Sequence, residues 1–344
     1  MSKTAPSTRY IRTPGTLGRE DNSLTFRSEE RGIVHLPIHG LKELYLLNEI
    51  TLNSKLLSFL SMAGITVHFF DYYGHFRGTF YPKDARVSGK VKLLQAKACL
   101  ERRIPIAAAF IGAIAANIHE VLYHYYKHGN KEIKPYLDWL KKDVPRLLDK
   151  MEDIPRLLSV EGEIWKRFYD TFKTFLPEDF KMNKRVKRPP DNPLNALISF
   201  GNTILYTKTI SQIYHTHLDQ SISFLHEPSD RRFSLSLDLS EPFKPLLVYR
   251  TIFELVNNRR IQVNKHFEKD YNYCILNGTG RDVFITALED RMKQVFDHGT
   301  LKRKVSYLSA IKYDAYKLKN ISSKEYLLFP FWKRKRGKGY GEKL

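Results

Sequence analysis

Between Phe224 and Pro245 the chain gathers one imidazole and two carboxylates, His226, Asp238 and Glu241, and Glu161 in Val160-Glu161-Gly162 supplies a further carboxylate from upstream. One nitrogen with several carboxylate oxygens makes the donor set of a divalent cation such as Mg2+ or Mn2+, both of which prefer oxygen-rich sites. The formal charge of +20 draws polyanions towards the protein. Together these features suit phosphoryl transfer on nucleic acid.

Each residue also has an ordinary structural reading. Glu161 stands near the start of an expected amphipathic helix whose apolar residues include Ile164, Phe168 and Phe172, where the helix dipole favours a carboxylate. His226 is expected to end a long helix, because Glu227-Pro228 is a natural stop. Asp238 and Glu241 are three apart and share a face of a helical turn, or they form a capping pair with Asp238 as N-cap and Glu241 at N3. The ordered combination carries the catalytic reading; no single member does.

Rival motifs fall away on spacing. Gly278-Thr279-Gly280 lacks the third glycine of a dinucleotide loop, and Gly337-Lys338-Gly339 lacks the Lys-Ser/Thr of a phosphate loop. His119-Glu120 with His124 has one residue too many for a zinc-protease motif: positions i and i+5 lie about 140° apart on a helix. His215 and His217 are expected on different faces of a helix, as solvated or core histidines.

The elements that must position these groups divide the chain in two. With 344 residues, two domains are expected. Residues 1–81 read as a small β-domain, with strands at Ser23–Arg27, Gly32–Leu36, Glu43–Leu47, Ile65–Phe70 and Phe76–Tyr81 and turns at Pro14-Gly15, Gly18 and Tyr73-Gly74. One helix interrupts, capped by Asn53 and closed by Gly64. A linker at 82–88 leads into 89–325, read as an all-helical catalytic domain with apolar residues at i, i+3 and i+4. Its expected helices include Lys131–Lys150, Val160–Phe175, Pro193–His226, Phe243–Asn257, Arg281–Phe296 and Leu301–Leu318. Residues 326–344 form a basic tail, Lys333 to Lys338 above all, expected to be disordered. The fold class is α+β.

Only Cys99 and Cys274 occur, which argues against a disulfide framework and for a reducing cytoplasm. Met1 to Arg12 has no apolar core of a signal peptide. The most apolar stretch, Ile104 to Ile118, is short of the ~20 residues of a membrane span and reads as a buried helix.

Several motifs in one order resemble a known family. Arg188-Pro-Pro-Asp-Asn-Pro-Leu-Asn195 through Tyr206, then Phe224-Leu-His226, then Ser234-Leu-Ser-Leu-Asp238-Leu-Ser-Glu241-Pro-Phe-Lys-Pro, resemble the CRISPR-associated adaptation integrases, the first-numbered Cas proteins. Val160-Glu161-Gly162 is similar to the family's Glu-Gly helix. Leu52–Leu60 with Gly64–Asp71 resembles the helix and strand of its β-domain, and Tyr72–Pro82 resembles the variant of type I-B systems. Family members carry either Asp or Glu where this chain has Glu241.

The resemblance implies a metal-dependent DNA endonuclease and integrase of spacer acquisition, joining pre-spacer 3′-hydroxyl ends to the repeat. It implies that Glu161, His226 and Glu241 hold Mg2+ or Mn2+, with Asp238 close behind them. It also implies a homodimer formed through the β-domain, and a dimer of the small second-numbered Cas protein bridging two such homodimers on double-stranded or branched DNA. The basic loop Lys181, Lys184, Arg185, Lys187 and Arg188 lies between the Glu161 and Asn195 helices and suits phosphate contacts. Arg188, Asn195 and Tyr206 are further DNA-side candidates, although Asn195 could equally tie helices together. A scaffold that binds DNA without catalysis would keep the basic runs and have no need of the ordered acids and imidazole. A small-molecule phosphoesterase would gain nothing from the charge.

Overall fold

The computed structural model of the chain describes residues 7–30, 32–82, 88–228, 233–270, 273–298 and 301–320. Two compact units divide between Val87 and Ser88. Of the expected linker, residues 83–87 lie outside the described residues, as does the basic tail at 326–344.

The first unit holds strands β1 (Thr8–Ile11), β2 (Gly15–Glu20), β3 (Ser23–Ser28), β4 (Gly32–Leu36), β5 (Glu43–Leu46) and β6 (Ile50–Thr51), helix α1 (Ser54–Met62), and strands β7 (Thr66–Phe70) and β8 (Phe76–Phe80). They form two four-stranded sheets, ordered β1-β5-β7-β8 and β4-β3-β2-β6. The pairs β1–β5, β5–β7 and β2–β6 are parallel, and β2–β3, β3–β4 and β7–β8 are antiparallel. Alternation sends Leu17, Leu24, Phe26, Leu44, Leu46 and Val67 inwards with Leu56 and Leu60 of α1. Asn53 Oδ1 accepts the Leu56 N–H at 2.9 Å, and Gly64 follows the helix at φ +70°, a conformation that costs glycine little. Gly18, read as a turn, instead runs through β2 opposite Thr25.

The second unit is mostly helical. It holds α2 (Gly89–Lys127), α3 (Lys134–Leu148), α4 (Ile154–Asp170), α5 (Pro193–Tyr214), α6 (Ser234–Ser240), α7 (Arg250–Asn257) and α8 (Val263–His266). These are followed by β9 (Phe267–Asp270) with β10 (Tyr273–Leu276), α9 (Gly278–Lys293), β11 (Val295–His298) with β12 (Arg303–Ser306), and α10 (Tyr307–Lys319). The expectation of an all-helical domain is corrected here: two short antiparallel hairpins, β9–β10 and β11–β12, interrupt it. Phe296, expected at a helix end, lies in β11, and residues 301–306, expected in a helix, lead into α10 partly as β12.

By length and composition α2 is apolar enough to cross a membrane, yet just over half of its most apolar stretch is buried inside the protein. Ile106, Phe110, Ile111, Ile114, Ile118 and Leu122 are all buried, and α2 packs on α3 and α4, so it serves as a core helix. Pro105 has no N–H to give to Glu101, and Arg102 leaves helical geometry at φ −136°, ψ 18°, which kinks α2 there. Helix α5 is buried almost from end to end, including Lys208, which pairs with Glu289 of α9 at 2.8 Å. Its Gly201 lets the backbone approach closely: an added Cβ would fall 2.6 Å from Val248 and 2.7 Å from the Phe284 ring.

Candidate functional site

Helix α5 stops well before His226, contrary to expectation. No glycine or proline marks the stop. His217 takes φ +68°, and Asp219 Oδ1 accepts from both N–H and Oγ–H of Ser221, so local side-chain bonds displace the helical ones. His226 therefore sits in the loop between α5 and α6.

That loop is wrapped around one carboxylate. Asp238 Oδ2 accepts from Phe224 N at 2.6 Å and Leu225 N at 2.9 Å; Oδ1 accepts from His226 N at 2.9 Å and lies 2.7 Å from His226 Nδ1. Asp238 is wholly buried within α6. Four bonds to one desolvated carboxylate satisfy it fully. The capping-pair reading of Asp238 is thereby excluded, because it lies inside a helix that begins at Ser234 and its oxygens serve another segment. With Nδ1 held, Nε2 is the imidazole nitrogen left to face a ligand.

Glu161 sits on α4, with Oε1 accepting from Trp165 Nε1 one turn on, at 2.7 Å. Burial raises its pKa above the ordinary carboxylate value, and the nearby charge of Glu241 raises it further, against Lys244 and His226, which lower it. Burial disfavours charge on His226, but the bond to Asp238 and the charges of Asp238, Glu241 and Glu161 outweigh it and raise its pKa. Glu161, His226 and Glu241 thus act on one another electrostatically. Glu241 opens the turn after α6, and its Oε1 is bound by Lys244 three residues on. Lys244 had no role in the sequence reading, although its spacing from Glu241 was the available signal.

Among the described residues, no three His, Cys, Asp or Glu side chains stand close enough together to hold an ion as they are. The donor chemistry nevertheless fits Mg2+ or Mn2+: a Glu161 carboxylate made harder to charge by burial and by Glu241, the Glu241 carboxylate itself, an oriented imidazole, and a lysine bound to Glu241.

The basic loop borders this site. Burial lowers the pKa of Lys187, as do Lys244 and Arg185, while Glu241 and Glu161 hold it up. The tyrosines missed from sequence lie here too: Tyr169 and Tyr249 share a hydroxyl bond of 2.8 Å, and Tyr169 is pushed up to about 12, chiefly by burial.

Two DNA-side assignments need correction. Asn195 is wholly buried; its Nδ2 donates to Lys184 O and Asp191 Oδ1, and its Oδ1 accepts from Arg185 Nη1 at 3.0 Å. It cannot reach DNA and instead fastens the loop to α5. Arg185 is spent in the same way, on Asn195 and on Ser199 Oγ at 2.8 Å. Lys184, Lys187 and Arg188 are exposed; Lys181 is exposed and pairs with Glu178; Tyr206 is half-buried in α5.

The family model for the CRISPR associated protein Cas1 matches residues 9–290. The chain belongs to the Cas1 family. It is 38% identical over 327 residues to the CRISPR-associated endonuclease Cas1 of Fusobacterium nucleatum subsp. nucleatum, spanning 94% of this chain and 96% of that one. A solved Cas1 protein from Thermotoga maritima aligns with a TM-score of 0.79 at 33% identity, covering 91% of this chain and 96% of its own. A casposase bound to integration product shares the fold, with a TM-score of 0.83 at 18% identity, covering 97% and 96%. The family match thus extends over most of the chain.

Proposed function

We propose that this Cas1 protein is a divalent-metal-dependent DNA endonuclease and integrase of CRISPR spacer acquisition. The observation that carries this reading is the His226 imidazole held by Asp238 in the field of Glu161 and Glu241, beside an exposed basic loop. In strand joining, a pre-spacer 3′-oxygen forms a new bond to phosphorus of the repeat, and the bond from that phosphorus to the departing 3′-oxygen breaks. The proton leaves the attacking hydroxyl and the departing oxygen gains one. The number of phosphodiesters is conserved, so no nucleotide triphosphate is needed. In endonuclease action water replaces the 3′-hydroxyl.

His226 through Nε2, Glu161 and Glu241 would hold Mg2+ or Mn2+. When bound, the cation neutralises charge on the non-bridging phosphate oxygens and lowers the pKa of the attacking hydroxyl. Asp238 fixes the imidazole tautomer and direction. Lys244, bound to Glu241, would add positive charge beside the ligand set. Lys184, Lys187 and Arg188 hold phosphates of double-stranded or branched DNA without reading sequence. The same reading makes the protein a cytoplasmic homodimer, with the small second-numbered Cas protein as a bridging dimer.

The test is Mn2+-dependent nicking and joining of a branched DNA by the parental chain and by His226→Ala. The parental chain should act only with metal, and the variant should lose orders of magnitude in rate at nearly intact duplex affinity, since ion position sets in-line geometry. Equal rates for the two proteins would leave a DNA-binding scaffold as the better description.

A further inference from the structure

The carboxylate of Asp238 gathers the N–H groups of residues 224–226, but the carbonyl groups of the same loop are held from a different helix. Arg103 of α2 donates Nε–H to Phe224 O at 2.9 Å and Nη2–H to His226 O at 3.3 Å, and Nη2 also reaches Glu227 Oε2 at 3.1 Å. Ser223 Oγ donates to His226 O at 2.7 Å. Two turns earlier on α2, Gln95 Nε2 donates to Asp219 O and Ile222 O, each at 2.8 Å, and its Oε1 accepts from Asp219 N at 2.9 Å. Between them Cys99 Sγ donates to Ser223 O at 3.3 Å.

Positions 95, 99 and 103 are spaced at i, i+4 and i+8, so one face of α2 grips the loop from Asp219 to Glu227. The grip spans the kink at Arg102, after which Pro105 resumes the helix. Arg103 is the member that reaches His226 itself, and its planar fork supplies two donors in fixed relation.

We propose that Arg103 is a positioning residue for His226: it fixes the carbonyl side of the His226 backbone as Asp238 fixes the amide side, and the two set the direction of the imidazole. The role in catalysis rests on the proposed function above; the role in orienting the ring does not. Removing Arg103 frees the Phe224 carbonyl and leaves the His226 carbonyl to Ser223 Oγ, a group of the same loop, so the backbone of His226 can rotate about the Asp238 contacts. A shift of the ring by a fraction of an ångström then misdirects Nε2, whereas phosphate-binding cations elsewhere are untouched. Lysine can restore one bond but not the fork. Glu227 is exposed at the end of the same guanidinium, and its ion pair should matter little.

The experiment uses the full chain and the variants Arg103→Met, Arg103→Lys, Glu227→Gln and His226→Ala. Three properties are read: the Mn2+-supported joining rate at saturating branched DNA, duplex affinity with thermal midpoint, and the imidazole resonances of the metal-free protein labelled at histidine. The His226 resonance is identified by its loss in His226→Ala. Arg103→Met should slow joining about 10- to 100-fold, as expected when the group behind a ligand is removed. It should also shift the His226 resonance, leaving affinity and thermal midpoint close to parental. Arg103→Lys should recover part of the rate, and Glu227→Gln should match the parent.

A parental rate with an unmoved His226 resonance in Arg103→Met would overturn the proposal. So would a slower rate accompanied by a matching fall in thermal midpoint and folded fraction, which marks a merely structural residue. A parental chain that neither nicks nor joins with Mn2+ would defeat the proposed function instead, and the His226 resonance in Arg103→Met would then decide the orienting role by itself.

Discussion

Two loops of the second unit meet the candidate site, and they are built in opposite ways. In the loop at residues 223–227, the amides of Phe224, Leu225 and His226 lie on Asp238, the carbonyls of Ser223, Phe224 and His226 on Cys99 and Arg103, and the imidazole is held in a single direction. Residues 181–188 are fastened at one place, where Arg185 and the Lys184 carbonyl meet Asn195, and otherwise present Lys184, Lys187 and Arg188 to solvent. The contrast separates two physical tasks. Chemistry at phosphorus needs groups held to a fraction of an ångström, whereas phosphate attraction is long-ranged and works with exposed, adaptable cations.

The contrast is broken most severely at Asp238. Asp238→Asn replaces one acceptor oxygen of a buried carboxylate by an NH2 group facing N–H donors, so the His226 loop loses its anchor. Strand joining should fall about a hundredfold, with duplex affinity nearly unchanged in a gel-shift assay. An affinity loss as large as the rate loss would mean that the loop holds DNA as well. Neutralising Lys184, Lys187 and Arg188 together should do the reverse. Affinity should fall about tenfold at physiological salt, and the slope of log K against log salt should become shallower by up to ~3, about 0.9 for each phosphate that is no longer neutralised. A slope that stays put would make the loop a solvated connection.

Asn195→Ala tests the single fastening. It leaves the Lys184 carbonyl without its buried partner and the Arg185 guanidinium with Ser199 Oγ in place of two side-chain partners, and a loss of about 1–3 kcal/mol in urea unfolding is expected, with only a modest change in the salt slope. The smallest effect concerns Cys274, whose amide donates to Pro190 O at 2.8 Å and so ties the end of the basic loop to β10. Burial raises its thiol from 9.0 to about 11. A raised folded pKa means that the protonated thiol stabilises the fold up to about pH 9, and that this contribution is lost as pH climbs from 9 towards 11. At pH 8 iodoacetamide should therefore modify Cys274 slowly in the folded chain and quickly in urea.

The residue types of the site were legible because an imidazole and acids in a fixed order have few structural substitutes, and the change from period-2 to period-3.6 patterning was legible because it persists over many residues. Placement was harder. Nothing in Tyr214-His215-Thr216-His217 announces a helix end, since the stop rests on a left-handed histidine and an Asp219 side-chain turn. The pattern Val295-Phe296-Asp297-His298 alternates as a strand should, but four residues between helical runs are too few for periodicity to outvote its flanks. Asn195 stayed open between a DNA contact and a tie between helices, because a polar residue buried for bonding and one exposed for binding are the same letter. Arg103 was invisible for the same reason: its partners are backbone atoms more than a hundred positions away.

The carboxylate of Asp238 receives three successive amides, Phe224, Leu225 and His226, in the manner in which a concave stretch of backbone receives an anion. Many enzymes leave such a cradle vacant for the charge that develops during reaction. Here the protein fills it with its own anion. Under the proposed function, a phosphate entering beside His226 would find those amide donors already taken, so the negative charge growing at phosphorus would have to be met by cationic side chains and a bound cation, and the backbone of this loop would contribute rigidity instead of charge.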